Sequence, residues 1–204
     1  MNFIKKNYRK ALIFLFIPFL LLSKPITAQN ADINLLRDIN VKRNTHLDKS
    51  FKLITNSVMP VGIGLPLGLI ATGLINKDKV TRNNGLEVGA SFIIASCIST
   101  GLKITVNRPR PFVTYPDIQK MADAGSYSFP SGHTTAAFAT ATSVSLIYPK
   151  WYVIAPAFTW ACLSGYSRMH LGVHYPTDVL AGIIIGAGSA FLTHQGAKWI
   201  QTKK

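Results

Sequence analysis

Acidic side chains are scarce in this chain. Eight Asp and Glu stand against 22 Lys and Arg in 204 residues, for a formal net charge of +14. Hard divalent cations need clustered carboxylates and zinc needs grouped His and Cys. No such grouping is visible, so the expected chemistry uses no metal and no cofactor. Cysteine is scarcer still. Cys97 and Cys162 have no metal-ligand spacing and lie within apolar runs, which reads as two buried thiols. Each sits six residues before a basic residue, so a disulfide is the alternative in an exported chain. There is no internal repeat and no low-complexity tract. Aromatic residues do not alternate with the basic ones, which argues against a nucleic-acid surface as the reason for the charge.

Apolar residues are plentiful, at 48%, and strongly segregated. Residues 57–75, SVMPVGIGLPLGLIATGLI, form a nineteen-residue uncharged run that just reaches bilayer-spanning length. Four shorter runs follow at 88–102, 134–149, 151–166 and 179–193, rich in the Ala, Gly, Ser and Thr that let membrane helices approach closely. Runs of that length also suit the core helices of a soluble bundle. Their number and the placement of charge favour an all-α bundle of five transmembrane helices.

The first residues carry Lys5, Lys6, Arg9 and Lys10, then an apolar stretch from Ala11 to Leu22, then Thr27-Ala28. This is the pattern of a signal peptide over residues 1–28, and an uncleaved sixth helix is the other reading. Removing 1–28 takes five Lys/Arg and no acids, which lowers the net charge from +14 to +9. The expected division is then a polar N-terminal segment at 29–56, with a short amphipathic helix, and a helical domain at 57–204. Lys77, Lys79 and Arg82, then Lys150, then Lys198, Lys203 and Lys204 all fall on one side of a five-helix topology. By the positive-inside rule that side is cytoplasmic, and residues 29–56, 103–133 and 167–178 face outward.

Three clusters share the outward side. KITVNRPRPF runs from Lys103 through Arg110, PSGH covers 130–133, and SRMHLGVHYPTD holds Arg168, His174 and Asp178. In PSGH, Ser131 reads as the N-cap of a helix, with Gly132 and His133 in its first turn. A helix N-terminus attracts phosphate through free N–H groups and the macrodipole, and glycine admits close approach. The plain alternative is a well-capped helix with a surface histidine. Lys103, Arg110 and Arg168 together suit the three equatorial oxygens of a phosphoryl group in transfer. Arg108 is a lesser fourth cation. His174 and Asp178 lie four residues apart, so a helix opening at Pro176 lets the carboxylate reach back to the imidazole.

The three motifs in this order, Lys-x6-Arg-Pro, Pro-Ser-Gly-His and Ser-Arg-x5-His-x3-Asp, resemble the type 2 phosphatidic acid phosphatase superfamily. The resemblance implies a histidine phosphatase of the membrane-bound bacterial branch. It makes His174 the nucleophile, Asp178 its orienting partner and His133 the general acid, with Lys103, Arg110, Ser131, Gly132 and Arg168 holding phosphate. The implied partners are a lipid phosphate substrate (lipid A phosphate, undecaprenyl diphosphate or phosphatidylglycerol phosphate) and the bilayer. The implied location is a bacterial inner membrane, with the site facing the periplasm. A soluble periplasmic acid phosphatase of the same superfamily is the nearest alternative, and a non-enzymatic transporter or lipid-binding protein the alternative of another class. His46, His170 and His194 fit no chemical role and read as surface or packing residues, with His170 at the pocket's edge.

Overall fold

Each apolar run becomes part of a helix. The computed structural model describes residues 25–125 and 127–202, and the regular structure among them is helical throughout. The charged and apolar parts of the expected signal peptide fall within 1–24, outside the described residues.

Helix α1, Pro25–Asn40, turns Ile33, Leu36 and Asn40 inward as one buried stripe at helical spacing. A 3-10 turn, Thr45–Leu47, is capped by Asn44, whose side chain accepts from His46 N. It leads into α2, Asp48–Asn56, and Ser57 both closes α2 and opens α3, Val58–Ile75. The single amphipathic helix expected for this segment is thus two helices and a turn. Arg43 fixes the break by donating to Asn40 O at 2.9 Å while pairing with Asp48 at 3.0 Å.

Asp78 caps α4, Lys79–Val106, by accepting from Val80 N. This helix of 28 residues is about 42 Å long at the usual rise. It ends at Asn107, which takes the left-handed conformation at φ 53°, one of the few side-chain-bearing residues that does so readily. The chain then doubles over the helix end through Arg108 and Arg110 into the single turn α5, Pro111–Thr114. Three helices complete the chain: α6, Gly132–Ile147, α7, Trp151–His170, and α8, Pro176–Gln201.

Helix α6 is the axis of the bundle. Its Ala, Thr and Ser residues let α3, α4, α7 and α8 all pack on it, and ten of its 16 residues are buried. On α8 the approach is closest at Gly186, where a Cβ would stand 2.3 Å from Thr135 O. The outer surface is the reverse of a soluble protein's. Ile75, Leu53 and Ile104 are 80%, 75% and 68% exposed, while the interior is largely Ala, Ser and Thr. Such an exterior is covered by lipid. Among the described residues three continuous helical stretches, Thr45–Ile75, Lys79–Thr114 and Pro176–Ile200, are long and apolar enough to cross a membrane. The third and fourth apolar runs lie in α6 and α7, which share the bundle but fall outside that measure of length and apolarity. Cys97 and Cys162 are free and exposed, which corrects the expectation that they are buried or paired. In a bundle whose large apolar side chains face lipid, an apolar run does not imply burial in protein.

The up-and-down path brings the last turn of α4, the first turn of α6, the last turn of α7 and the first turn of α8 to one end. Helices α1 and α2 pack over that same end, against α7 and α8.

Candidate active site

At that end lies a cavity of about 280 Å³ lined by Lys103, Arg110, His133, Arg168, His174, Gly132 and the 123–125 loop. All three sequence motifs therefore converge on one space. His174 is carried by the short connection between α7 and α8, whose tight course depends on Gly172 at φ +71°, where a Cβ would be 2.3 Å from Gln119 O. Its ring is almost wholly buried. Nε2 faces Arg110 Nη1 at 3.3 Å, and Nδ1 faces Asp178 Oδ2 at 3.5 Å. Because a guanidinium only donates, Nε2 must be the acceptor, and the proton belongs on Nδ1, towards the carboxylate. Burial holds the imidazole pKa down to about 3 despite Asp178, with Arg168 and Arg110 adding to the depression. The ring is thus neutral, with its Nε2 lone pair at the cavity.

Asp178 is fully buried at the start of α8. At 3.5 Å its contact with His174 is the longest it makes. Its Oδ2 accepts from Ser128 Oγ and from Tyr175 N at 2.9 Å, and its Oδ1 accepts from Arg108 Nη1 at 2.7 Å. The carboxylate thereby also caps its own helix. Arg108 stacks on Tyr175, 3.8 Å from the ring centroid, and its second amino group donates to Asp32 at 2.7 Å. This fourth cation belongs to the carboxylates, not to the cavity lining.

The other cations are held at the cavity wall. Arg110 donates to Gly125 O and Val173 O at 3.1 and 2.8 Å. Arg168 donates to Thr55 Oγ1 at 2.8 Å and to Asp123 O at 3.4 Å, and its buried Nε has no partner among the described residues. Lys103 donates to Tyr127 O at 2.9 Å and Pro130 O at 2.7 Å, tying down the loop that enters α6.

His133 lies one residue ahead of the apolar run of α6. Burial and the charges of Arg168, Arg110 and Lys103 lower its pKa to about 4. Ser131 is the N-cap of α6, as its position before Gly132 predicts, but its side chain makes no cap bond. Its hydroxyl is fully buried and accepts from Thr134 Oγ1 at 2.8 Å, while its N–H donates to Asp178 O at 3.0 Å. At Gly132 a Cβ would meet nothing nearer than 3.8 Å, so the protein's own packing does not require this glycine.

Sequence reasoning did not find Ser128, Thr55 or Asp32, which hold Asp178, Arg168 and Arg108. None stands in a motif, and Asp32 and Thr55 come from helices whose docking no local pattern reveals. His170 is buried, 2.8 Å from Asp48, so it packs the N-terminal helices on α7 and lies outside the cavity lining. His194 pairs with Glu87 at 2.7 Å, between α8 and α4.

A family model described as the PAP2 superfamily matches residues 84–201. An undecaprenyl-diphosphatase of Sulfolobus acidocaldarius is 37% identical over 128 residues, 61% of this chain and 60% of that protein. The undecaprenyl-diphosphatase BcrC of Bacillus subtilis is 30% identical over 149 residues, 73% of this chain and 74% of that protein. Among solved structures, a transmembrane PAP2 type phosphatidylglycerolphosphate phosphatase from Bacillus subtilis superposes with a TM-score of 0.72 at 25% identity, over 95% of this chain and 98% of that one.

Proposed function

The chain belongs to the PAP2 superfamily, and from that premise we propose that it removes a phosphate from a membrane lipid, with a prenyl diphosphate as its substrate, through a phosphohistidine on His174. The observation that carries this reading is the pairing of a neutral His174, Nε2 towards a cationic cavity, with Asp178 behind Nδ1. The relatives named as undecaprenyl-diphosphatases support the choice of lipid.

In the first step His174 Nε2 attacks the terminal phosphorus as the bond from phosphorus to the leaving oxygen breaks, and His133 gives that oxygen a proton. Arg110, Arg168 and Lys103 take up the charge spread over the equatorial oxygens. Arg110 must leave Nε2 for a phosphoryl oxygen, an exchange that the incoming anion itself drives. The Gly132 backbone and the first turn of α6 complete the cradle. In the second step a water attacks the phosphohistidine, His133 accepts its proton, and inorganic phosphate leaves with the Nε2 lone pair restored.

Burial and three cations keep His133 neutral; a phosphate dianion offsets that positive field, so substrate favours protonation of the acid. The basic residues between α3 and α4 and between α6 and α7 lie at the end opposite the cavity. That supports a bacterial inner-membrane protein with its site towards the periplasm. The large exposed apolar side chains argue against the soluble acid phosphatase alternative.

The test is phosphate release by purified protein in detergent, from undecaprenyl diphosphate, lipid A, phosphatidylglycerol phosphate, phosphatidic acid and p-nitrophenyl phosphate. The highest kcat/KM is expected on the prenyl diphosphate, with activity retained in EDTA. Preference for p-nitrophenyl phosphate over every lipid would overturn the lipid reading, and loss with EDTA restored by Mg²⁺ would overturn the mechanism.

A further inference from the structure

Asp32 lies in α1, ahead of the 84–201 stretch that matches the family model. A helix that does no more than cover the bundle has no need to send a carboxylate inward, yet Asp32 is only 6% exposed. Its Oδ1 accepts from Thr177 N at 2.9 Å, and its Oδ2 accepts from Thr177 Oγ1 at 2.6 Å and from Arg108 Nη2 at 2.7 Å. Thr177 is the residue directly before Asp178, in the first turn of α8. The carboxylate of one helix thus caps the N-terminus of another, satisfying an N–H that would otherwise have no partner there.

Arg108 closes the circuit. Its Nη1 donates to Asp178 Oδ1 and to Thr177 Oγ1, both within 2.8 Å, and Tyr175 supports the guanidinium plane from below. One cation therefore lies between two carboxylates, and the outer one comes from a segment with no motif in it. We infer that Asp32 is a positioning residue for the reaction: through Arg108 and the first turn of α8 it holds the Asp178 carboxylate behind His174. The inference rests on the proposed role of His174. A shift of about 1 Å in a catalytic group can cost on the order of 10²-fold in rate, and the 3.5 Å contact between Asp178 and His174 leaves no slack to lose.

The charge of Asp32 supplies a readout that a mere packing role would not move. The groups around His174 and Asp178 are Arg108, Arg110 and Lys103 from the α4 end, Asp123 from the loop before α6, His133 from α6, Arg168 from α7, Tyr175 from the α8 entry and, behind Arg108, Asp32 from α1. Removing the one negative charge that α1 contributes leaves the cluster more positive. Both histidine pKa values then fall. His174 must be neutral to attack, so the acid limb of kcat/KM moves to lower pH. His133 must be protonated to release the leaving group, so the alkaline limb moves the same way.

The test compares wild type, Asp32→Asn, Asp32→Glu and His174→Ala as full-length proteins in detergent, each checked by thermal unfolding. Asp32→Asn is expected to lose about 10²-fold in kcat with little change in KM, and both limbs should shift acidward. Asp32→Glu, which keeps the charge, should recover part of the rate with the wild-type limbs. An Asp32→Asn kcat within twofold of wild type, or a loss with both limbs unmoved and no recovery in Asp32→Glu, overturns the inference. If Asp32→Asn does not fold, Thr177→Val decides, since it removes one of Asp32's three donors; an unchanged kcat there overturns the inference too. An active His174→Ala would instead sink the phosphohistidine reading, whatever Asp32 does.

Discussion

His133 and His174 sit in the same cationic pocket and are both held neutral, yet the proposed chemistry needs one of them protonated. The resolution is linkage. With burial and the neighbouring cations lowering His133 to about 4, the ring is neutral at pH 8, with a single N–H, where inorganic phosphate is a dianion. Binding that dianion adds an attraction for the imidazolium that opposes burial and the cations, so the bound-state pKa rises and a proton is taken up from solvent. Calorimetric titration of phosphate at pH 8, in buffers of differing ionisation enthalpy, is expected to give an uptake of up to one proton. His133→Asn should abolish it. An equal uptake in that variant would assign the proton elsewhere. At this scale the sequence was informative because phosphate chemistry needs cations and imidazoles at fixed spacing, which local sequence records. The residues that hold them are less legible. Ser128 reaches Asp178 across 50 positions and Asp32 reaches Thr177 across 145, separations at which no periodicity connects the partners.

Among the elements, α6 and α8 decide whether the two histidine-bearing ends meet. Helix α8 lies so close to α6 that Gly186 has room for no side chain. A Cβ there would stand 2.3 Å from Thr135 O and 2.9 Å from Ala139 N. Backbone cannot yield as a flexible side chain can, so Gly186→Ala should push the helices apart at a cost of about 1–3 kcal/mol. Because α8 carries Asp178 and α6 carries His133, kcat should fall along with the unfolding temperature in detergent. Gly188 is the control, since it meets nothing within 4 Å. Gly188→Ala should be neutral or stabilising, as alanine is favoured over glycine in a helix by about 1 kcal/mol. Equal behaviour of the two variants would mean that the close α6–α8 contact does not govern the site. The helices themselves were readable from uncharged runs, Ser131 and Pro176 marked two starts, and the small residues announced close packing. The break between α1 and α2 was not readable, because Arg43 and Asp48 make it through an ion pair in place of a Gly or Pro.

On the scale of the whole molecule, the fold and the charge distribution make one joint statement about the membrane. The cavity and helices α1 and α2 occupy one end, and the α3–α4 and α6–α7 connections occupy the other. The sequence could locate five apolar runs, but the number that cross depends on length and lipid exposure, and α6 is short and almost encased by its neighbours. The side of each connection can be tested directly. Tyr175 stands at the right place in the chain for a label, but it is 5% exposed and packed on Arg108, so it would report nothing about sidedness. Lys120 is exposed at the cavity end, and Asn83 and Lys150 are exposed at the opposite end. With Cys97 and Cys162 replaced, since both are exposed thiols, a cysteine at Lys120 should react with a membrane-impermeant maleimide in cells whose outer envelope has been made permeable. Cysteines at Asn83 and Lys150 should react only after the inner membrane is opened. Labelling at Asn83 but not at Lys120 would invert the molecule and place the cavity in the cytoplasm. Labelling at Lys120 and Lys150 together, with Asn83 protected, would mean that α6 does not cross, leaving the cavity outside but reducing the number of spans.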